Sequence, residues 1–173
     1  MSKHHTILVT LLVLALAPSG LFAASFDALL PLMVDLPGWE AEKAVGADMS
    51  ATGTQAVMAT RSYTKEKGSF EAAILIGMQA AGAWTPQYQE GFKMETPEGR
   101  MEVRRINGFL VFSAFSQADA SGGILVLLQE AGGKTGVPSV FSVTFEGLPL
   151  EEALRTAQQF SWPKMKDQAA RIK

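Results

Sequence analysis

Four basic side chains crowd one short stretch: Lys93, Arg100, Arg104 and Arg105. Side chains alternate along a strand, so Arg100 and Arg104 share a face while Arg105 points the other way. Such a cluster could hold an anionic ligand or partner, although charges that guard an exposed strand edge look the same. Glu40 and Glu42 lie two apart on one strand face, with Asp48 beyond. Paired carboxylates can bind calcium or do acid–base work, but this spacing matches no EF-hand loop and reads as a polar sheet face. Asp27 and Asp35 read as surface residues. Gly132-Gly133-Lys134-Thr135-Gly136 invites comparison with a phosphate loop. That motif needs a glycine where Leu128 stands and a helix where Gly136-Val137-Pro138 stands, so a nucleotide site is not expected. Trp39, Trp84, Trp162, Tyr63 and Tyr88 could line a sugar or lipid pocket, or simply pack core and rim. Among all these, Arg100, Arg104, Trp84 and Tyr88 are the candidate contacts for a ligand or partner.

What the chain lacks narrows its chemistry further. It has no Cys, and its two His residues are His4 and His5. Both fall in an N-terminal stretch that reads as an export signal. Lys3 and the α-amino group make that end positive, Ile7 to Ala17 is apolar, Pro18-Ser19-Gly20 breaks it, and Ala23-Ala24-Ser25 supplies small residues. The apolar run is about half the roughly 20 residues needed to span a bilayer. A cleaved signal peptide over residues 1–24 is therefore expected, with an uncleaved anchor as the alternative. The absence of Cys at the junction excludes a lipidated N-terminus. The exported part would then contain neither imidazole nor thiol. That removes His- and Cys-ligated zinc, His-dependent triads and thiol chemistry, and no cofactor or metal is expected.

The whole chain of 173 residues carries 15 basic and 17 acidic side chains, net −2. Without Lys3 the exported part has 14 and 17, net −3. A mildly acidic balance gives no footprint for nucleic acid and no polybasic attraction to anionic lipid. The remaining length suits one domain over residues 25–163, followed by a polar tail over residues 164–173.

Positioning elements can be read from turn residues and periodicity. Trp39 to Val45 alternates after the Pro37-Gly38 turn. Ala56 to Thr64 places Val57, Ala59, Arg61 and Tyr63 on one face, and Lys65-Glu66-Lys67-Gly68 turns it into a second strand, Phe70 to Met78. Thr85-Pro86 resembles a helix start, which would put Tyr88 and Phe92 on an apolar stripe. Arg100 to Ile106 alternates, and Asn107-Gly108 is a strong hairpin signal leading into Phe109 to Phe115. That strand and Ile124 to Gln129 are apolar on both faces and read as doubly buried. Val140 to Phe145 is the last strand. A helix then begins at Pro149, with Leu150, Ala153, Leu154 and Ala157 as its stripe and Glu151–Arg155 as an i,i+4 pair. Trp162-Pro163 is expected to end it.

This pattern predicts an α+β domain: an antiparallel sheet of six to seven strands with one or two helices packed on a face. The early Gly38-Trp39 strand, the successive antiparallel strands and the late Phe141 to Phe145 strand before a terminal helix resemble small exported bacterial domains of the PsbP-like type. That resemblance covers most of the exported part and implies a binding or assembly module rather than an activity. It assigns no functional residue. The expected function is a non-enzymatic domain of the periplasm or secreted space that binds an envelope protein or a small ligand. The alternatives are a carrier for an apolar ligand in a gap between sheet and helices, and a hydrolase using carboxylates or Ser/Lys.

Overall fold

Apolar residues at every second position recur through most of the chain, and folding joins them into one sheet. The computed structural model describes residues 26–172 except 52, 86–87 and 133–135. The expected signal peptide lies outside the described residues, as do Pro86 of the expected helix start and the Gly133-Lys134-Thr135 part of the glycine-rich loop.

Nine strands are present among the described residues: β1 (Glu40–Ala41), β2 (Val45–Asp48), β3 (Ala56–Lys65), β4 (Gly68–Gly77), β5 (Lys93–Thr96), β6 (Gly99–Ile106), β7 (Phe109–Ser116), β8 (Ser121–Gln129) and β9 (Ser139–Glu146). They form a single sheet in the order β1-β3-β4-β9-β8-β7-β6-β5, with β2 also pairing to β3. Every pairing is antiparallel. The helices are short: α1 (Met78–Ala83), α2 (Leu150–Ala157) and α3 (Trp162–Ala169), with 3-10 turns at Phe26–Ala28 and Leu30–Leu32. None of the described helices is long and apolar enough to cross a membrane.

The expected α+β domain of six to seven strands is thus corrected to a mostly β fold of nine strands with a few short helices. The difference lies in elements too short to show a period. β1 and β2 split what reads as one strand, and β5 replaces part of the helix expected after Thr85. Short strands are set by the neighbour they pair with, not by intrinsic preference.

Two other readings also change. Pro163 does not stop the chain but stands in the first turn of α3, where its missing N–H costs nothing. Residues 164–172, read as a polar tail, therefore hold Met165, Ala169 and Ile172 in the core. Glu151 does not turn to Arg155 but reaches across to Arg100 on β6, at 3.0 Å.

One face of the sheet carries the core. Val57, Ala59 and Tyr63 of β3 meet Ile76, Ile74 and Phe70 of β4, and that layer continues through Phe141, Val143 and Phe145 of β9 to Ile124 and Val126 of β8. All are buried, together with the α2 stripe of Leu150, Ala153, Leu154 and Ala157. Phe160, between α2 and α3, is the centre of the packing. Its ring stacks on Phe70 at 6.3 Å and meets Phe141 at 5.0 Å and Tyr63 at 6.0 Å. Rings this close contribute beyond the area they bury.

Arg61 and Tyr63 fasten the first residues to this sheet. The Arg61 guanidinium donates to the carbonyl oxygens of Met33 and Glu42, each at 2.7 Å, and to the Asp35 carboxylate. The Tyr63 hydroxyl donates to the carbonyl oxygen of Val34 at 2.8 Å. Burial pushes the Tyr63 phenol up to about 12, partly offset by the nearby Arg61 charge. The folded chain therefore holds this proton more tightly than the unfolded chain. That contribution is complete below about pH 10 and is lost as pH rises through the folded value. We predict that Tyr63→Phe lowers stability by about 1 kcal/mol at neutral pH through the lost hydrogen bond. Between pH 10 and 12, denaturant unfolding of Tyr63→Phe should lose less stability than that of the parent.

Candidate functional site

The second face of the sheet is read directly from the strand register. One row across it runs Ala47, Met58, Leu75, Val140, Leu127. The next runs Val45, Thr60, Ala73, Ser142, Leu125, Phe112, Val103. A third runs Ser62, Glu71, Thr144, Gly123, Ala114, Met101, Met94. The fourth runs Thr64, Ser69, Glu146, Ser121, Ser116, Gly99, Thr96. The face therefore grades from apolar at one end to hydroxyl-rich and acidic at the other.

Only the apolar end is roofed. At Gly77 the chain turns out of β4 with φ of 83°, and a Cβ there would strike the Gln55 carbonyl oxygen at 1.9 Å. Glycine thus permits the sharp exit into α1, which packs on β4 and β9 and buries Ala80. The chain then lays Tyr88 on Phe112, ring on ring at 4.0 Å, with Trp84 edge-on to Tyr88 at 5.7 Å. Phe92 fastens this segment, its carbonyl oxygen accepting from the Val103 N–H at 2.8 Å. Arg105 grips Glu90 with two hydrogen bonds of 2.7 and 3.2 Å. That hydrogen bonding holds the Glu90 carboxyl below its ordinary range and raises Arg105.

The rest of the face is open. There Met94 and Met101 are exposed and Ala114 and Gly123 half-buried, while toward the roofed end Leu75, Leu110, Leu125 and Leu127 are half-buried. The expectation that β7 and β8 are doubly buried thus fails on this side. Two hollows, of about 360 and about 500 Å³, meet at Ser121 and Gly122. The first has Met94, Met101 and Ala114 in its floor, and the second has Ser62, Glu71, Thr144 and Glu146.

A separate cleft of about 700 Å³ opens where β7 and β8 part company beyond the Val111–Val126 pair. Phe109, Leu110, Leu127 and Leu128 line it, with Lys166 and Ala170 of the α3 segment on the other side.

The four candidate contact residues do not form one site. Trp84 and Tyr88 lie on the second face. Arg100 and Arg104 lie on the core side of the sheet, beside Glu151 at 3.0 and 4.0 Å, and Arg104 also meets Glu102 at 3.4 Å. The other aromatic residues are likewise dispersed. Trp39 packs on Phe70 at 5.9 Å, and Tyr63 is in the core. Trp162 meets Phe109 at 5.8 Å and donates its indole N–H to the Ala157 carbonyl oxygen. Glu40 and Glu42 sit at β1, and the Glu42 carbonyl oxygen serves Arg61. Hydrogen bonds from Ser50 hold the Asp48 carboxyl below its ordinary range. Among the described residues no three acidic groups converge as a cation would need.

Sequence reasoning missed the small residues of this face, Ala73 and Ser142 in the second row and Gly123 and Ala114 in the third. The signal was present: each is a small residue at an alternate position of an otherwise bulky strand.

No family model, curated protein or solved structure matches this chain. The PsbP-like resemblance rests on the residues that suggested it.

Because Tyr88 roofs Phe112, Tyr88→Ala should remove the stack and bare an otherwise buried ring. We expect a loss of about 1–2 kcal/mol in urea unfolding. Faster hydrogen exchange should be confined to residues 84–92 and β6.

Proposed function

We propose that the chain is a non-enzymatic binding module, exported to the cell envelope, that takes a partner protein on the open face of its sheet. One observation carries this reading. An antiparallel sheet exposed to water on one side normally turns polar residues to that side. Here the uncovered side also exposes Met94 and Met101, with half-buried Leu125 toward the roof, beside its polar residues. Small residues at Ala114, Gly123 and Ala73 let another surface approach the backbone.

The gradient of the face specifies the chemistry of the partner. Apolar side chains of the partner would lie toward Met94 and Met101. Donor or basic groups would lie toward Glu71, Glu146 and the hydroxyls. Methionine suits such a surface because its flexible thioether adapts to different shapes. Export rests on the N-terminal pattern of positive end, apolar run and small-residue exit.

A second reading has its own observation. The 700 Å³ cleft between β7, β8 and α3 is of the size that small ligands occupy, with an apolar wall of Phe109, Leu110, Leu127 and Leu128 rimmed by Arg105, Glu130, Lys166 and Asp167. A carrier for a small apolar ligand would use it.

The two readings separate by mutation. Ala114→Arg places a long charged side chain on the open face, and Ala170→Phe obstructs the cleft. If the face is the site, the protein retained from envelope extract by the parent should drop at least about tenfold with Ala114→Arg and persist with Ala170→Phe. Equal retention by both variants would overturn it. A bound lipid that is lost only with Ala170→Phe would favour the carrier.

A further inference from the structure

The two edges of the sheet are finished differently. At one, β3 is capped by two fragments, β1 and β2, and the gap between them is bridged by Arg61. The other edge is β5, whose four residues are all exposed. A strand edge with free N–H and C=O groups is a template for another strand.

We infer that two copies of this chain pair through β5, antiparallel, in the register that sets Met94 on the two-fold axis. This inference does not depend on how the open face is used.

Hydrogen-bond phase restricts the choice. Thr96 faces Gly99 across the β5–β6 turn, and Met94 faces Met101. The Val103 N–H donates to the Phe92 carbonyl oxygen. Alternation then turns the Phe92 carbonyl oxygen and the backbone groups of Met94 and Thr96 toward β6, and those of Lys93 and Glu95 outward. Only registers that pair these outward groups with each other can form a ladder.

Charge then selects among them. Centring on Lys93 sets Lys93 against its own copy, and centring on Glu95 sets Glu95 against its own copy while pairing Lys93 with Pro97, which has no N–H. Centring on Met94 sets each Lys93 opposite the Glu95 of the other copy. On the core side, β6 adds Glu102 next to Lys93 and Arg100 next to Glu95. The row through the junction then reads Glu102, Lys93, Glu95, Arg100, alternating in sign across the two copies. On the open face the same register joins Met101, Met94, Met94 and Met101 into one apolar strip. At present Lys93 and Glu95 pair only with each other within the strand, at 3.5 Å and about two-thirds exposed.

An interface of four backbone hydrogen bonds and one strip of side chains falls in the small, reversible class. The dimer should therefore form and dissociate with concentration. Sedimentation velocity of the purified protein over a wide concentration range tests this. Lys93→Glu and Glu95→Lys should each weaken association roughly tenfold or more, because each sets like charges opposite. An equimolar mixture of the two should associate again, since every cross-copy pair is then of opposite sign, and the double exchange should associate more strongly than either single variant. Lys164→Glu, exposed on α3 away from the edge, should leave association unchanged. The inference fails if the parent stays monomeric at millimolar concentration, if the single variants associate like the parent, or if the mixture does not recover.

Covalent capture supplies a second measurement should the charge variants fold poorly. The chain contains no Cys, so Met94→Cys introduces a single thiol. Facing residues of a non-hydrogen-bonded pair stand about 4.5 Å apart at Cα, within disulfide reach. Met94→Cys should cross-link under mild oxidation far faster than Met78→Cys, a more exposed site elsewhere. Equal rates would overturn the inference.

Discussion

A strand shows its side chains alternately to two sides, and a wide sheet must do something with both. That constraint governs this protein. Three short helices and a few turns are too little material to cover two faces of nine strands. The chain commits α2, α3 and the N-terminal turns to one face, where Phe160 ties together rings from β3, β4 and β9. The second face receives α1 and one aromatic loop. What remains uncovered is a consequence of that division, and its residues are those on which a binding function would act.

The edges follow the same logic. Residues 26–44 serve as a border for β3, held by Arg61 and Tyr63 through hydrogen bonds to backbone carbonyl groups and to Asp35. Backbone acceptors tied to a largely buried guanidinium fix the border without relying on exposed ion pairs, which contribute little. No such border lies over β5 among the described residues. The charges on β5 would repel a copy in most alignments and attract it in one, so the edge discriminates against random association while permitting a defined one.

Much of the fold was legible where local chemistry dictates it. Asn107 and Gly108 have positive φ values of 50° and 85°, as a two-residue hairpin turn requires. Glu66, at the tip of the β3–β4 hairpin, also has a positive φ, 53°. The α2 stripe is buried at all four of its positions. Illegible parts were those decided by distant partners. The segment after Thr85 carries a helix-start signal, yet from Lys93 onward it takes its hydrogen bonds from β6. The closing segment was misread for a different reason. Trp162, Met165, Ala169 and Ile172 recur at helical spacing, but a proline that opens a helix was taken for one that ends it. Of the candidate site, Trp84 and Tyr88 do lie together on the second face. Arg100 and Arg104 lie through the sheet from them, because periodicity fixes which residues share a face of one strand but not which face of another strand joins it.

The division of the sheet into a sealed and an open face can be measured directly by methyl NMR with a soluble paramagnetic agent. The account predicts strong relaxation at the methyl groups of Met101, Ala114 and Leu125, with those of Ala72, Ile74 and Ile124 protected. Equal protection of both sets would mean that the second face is covered, and the account would be wrong.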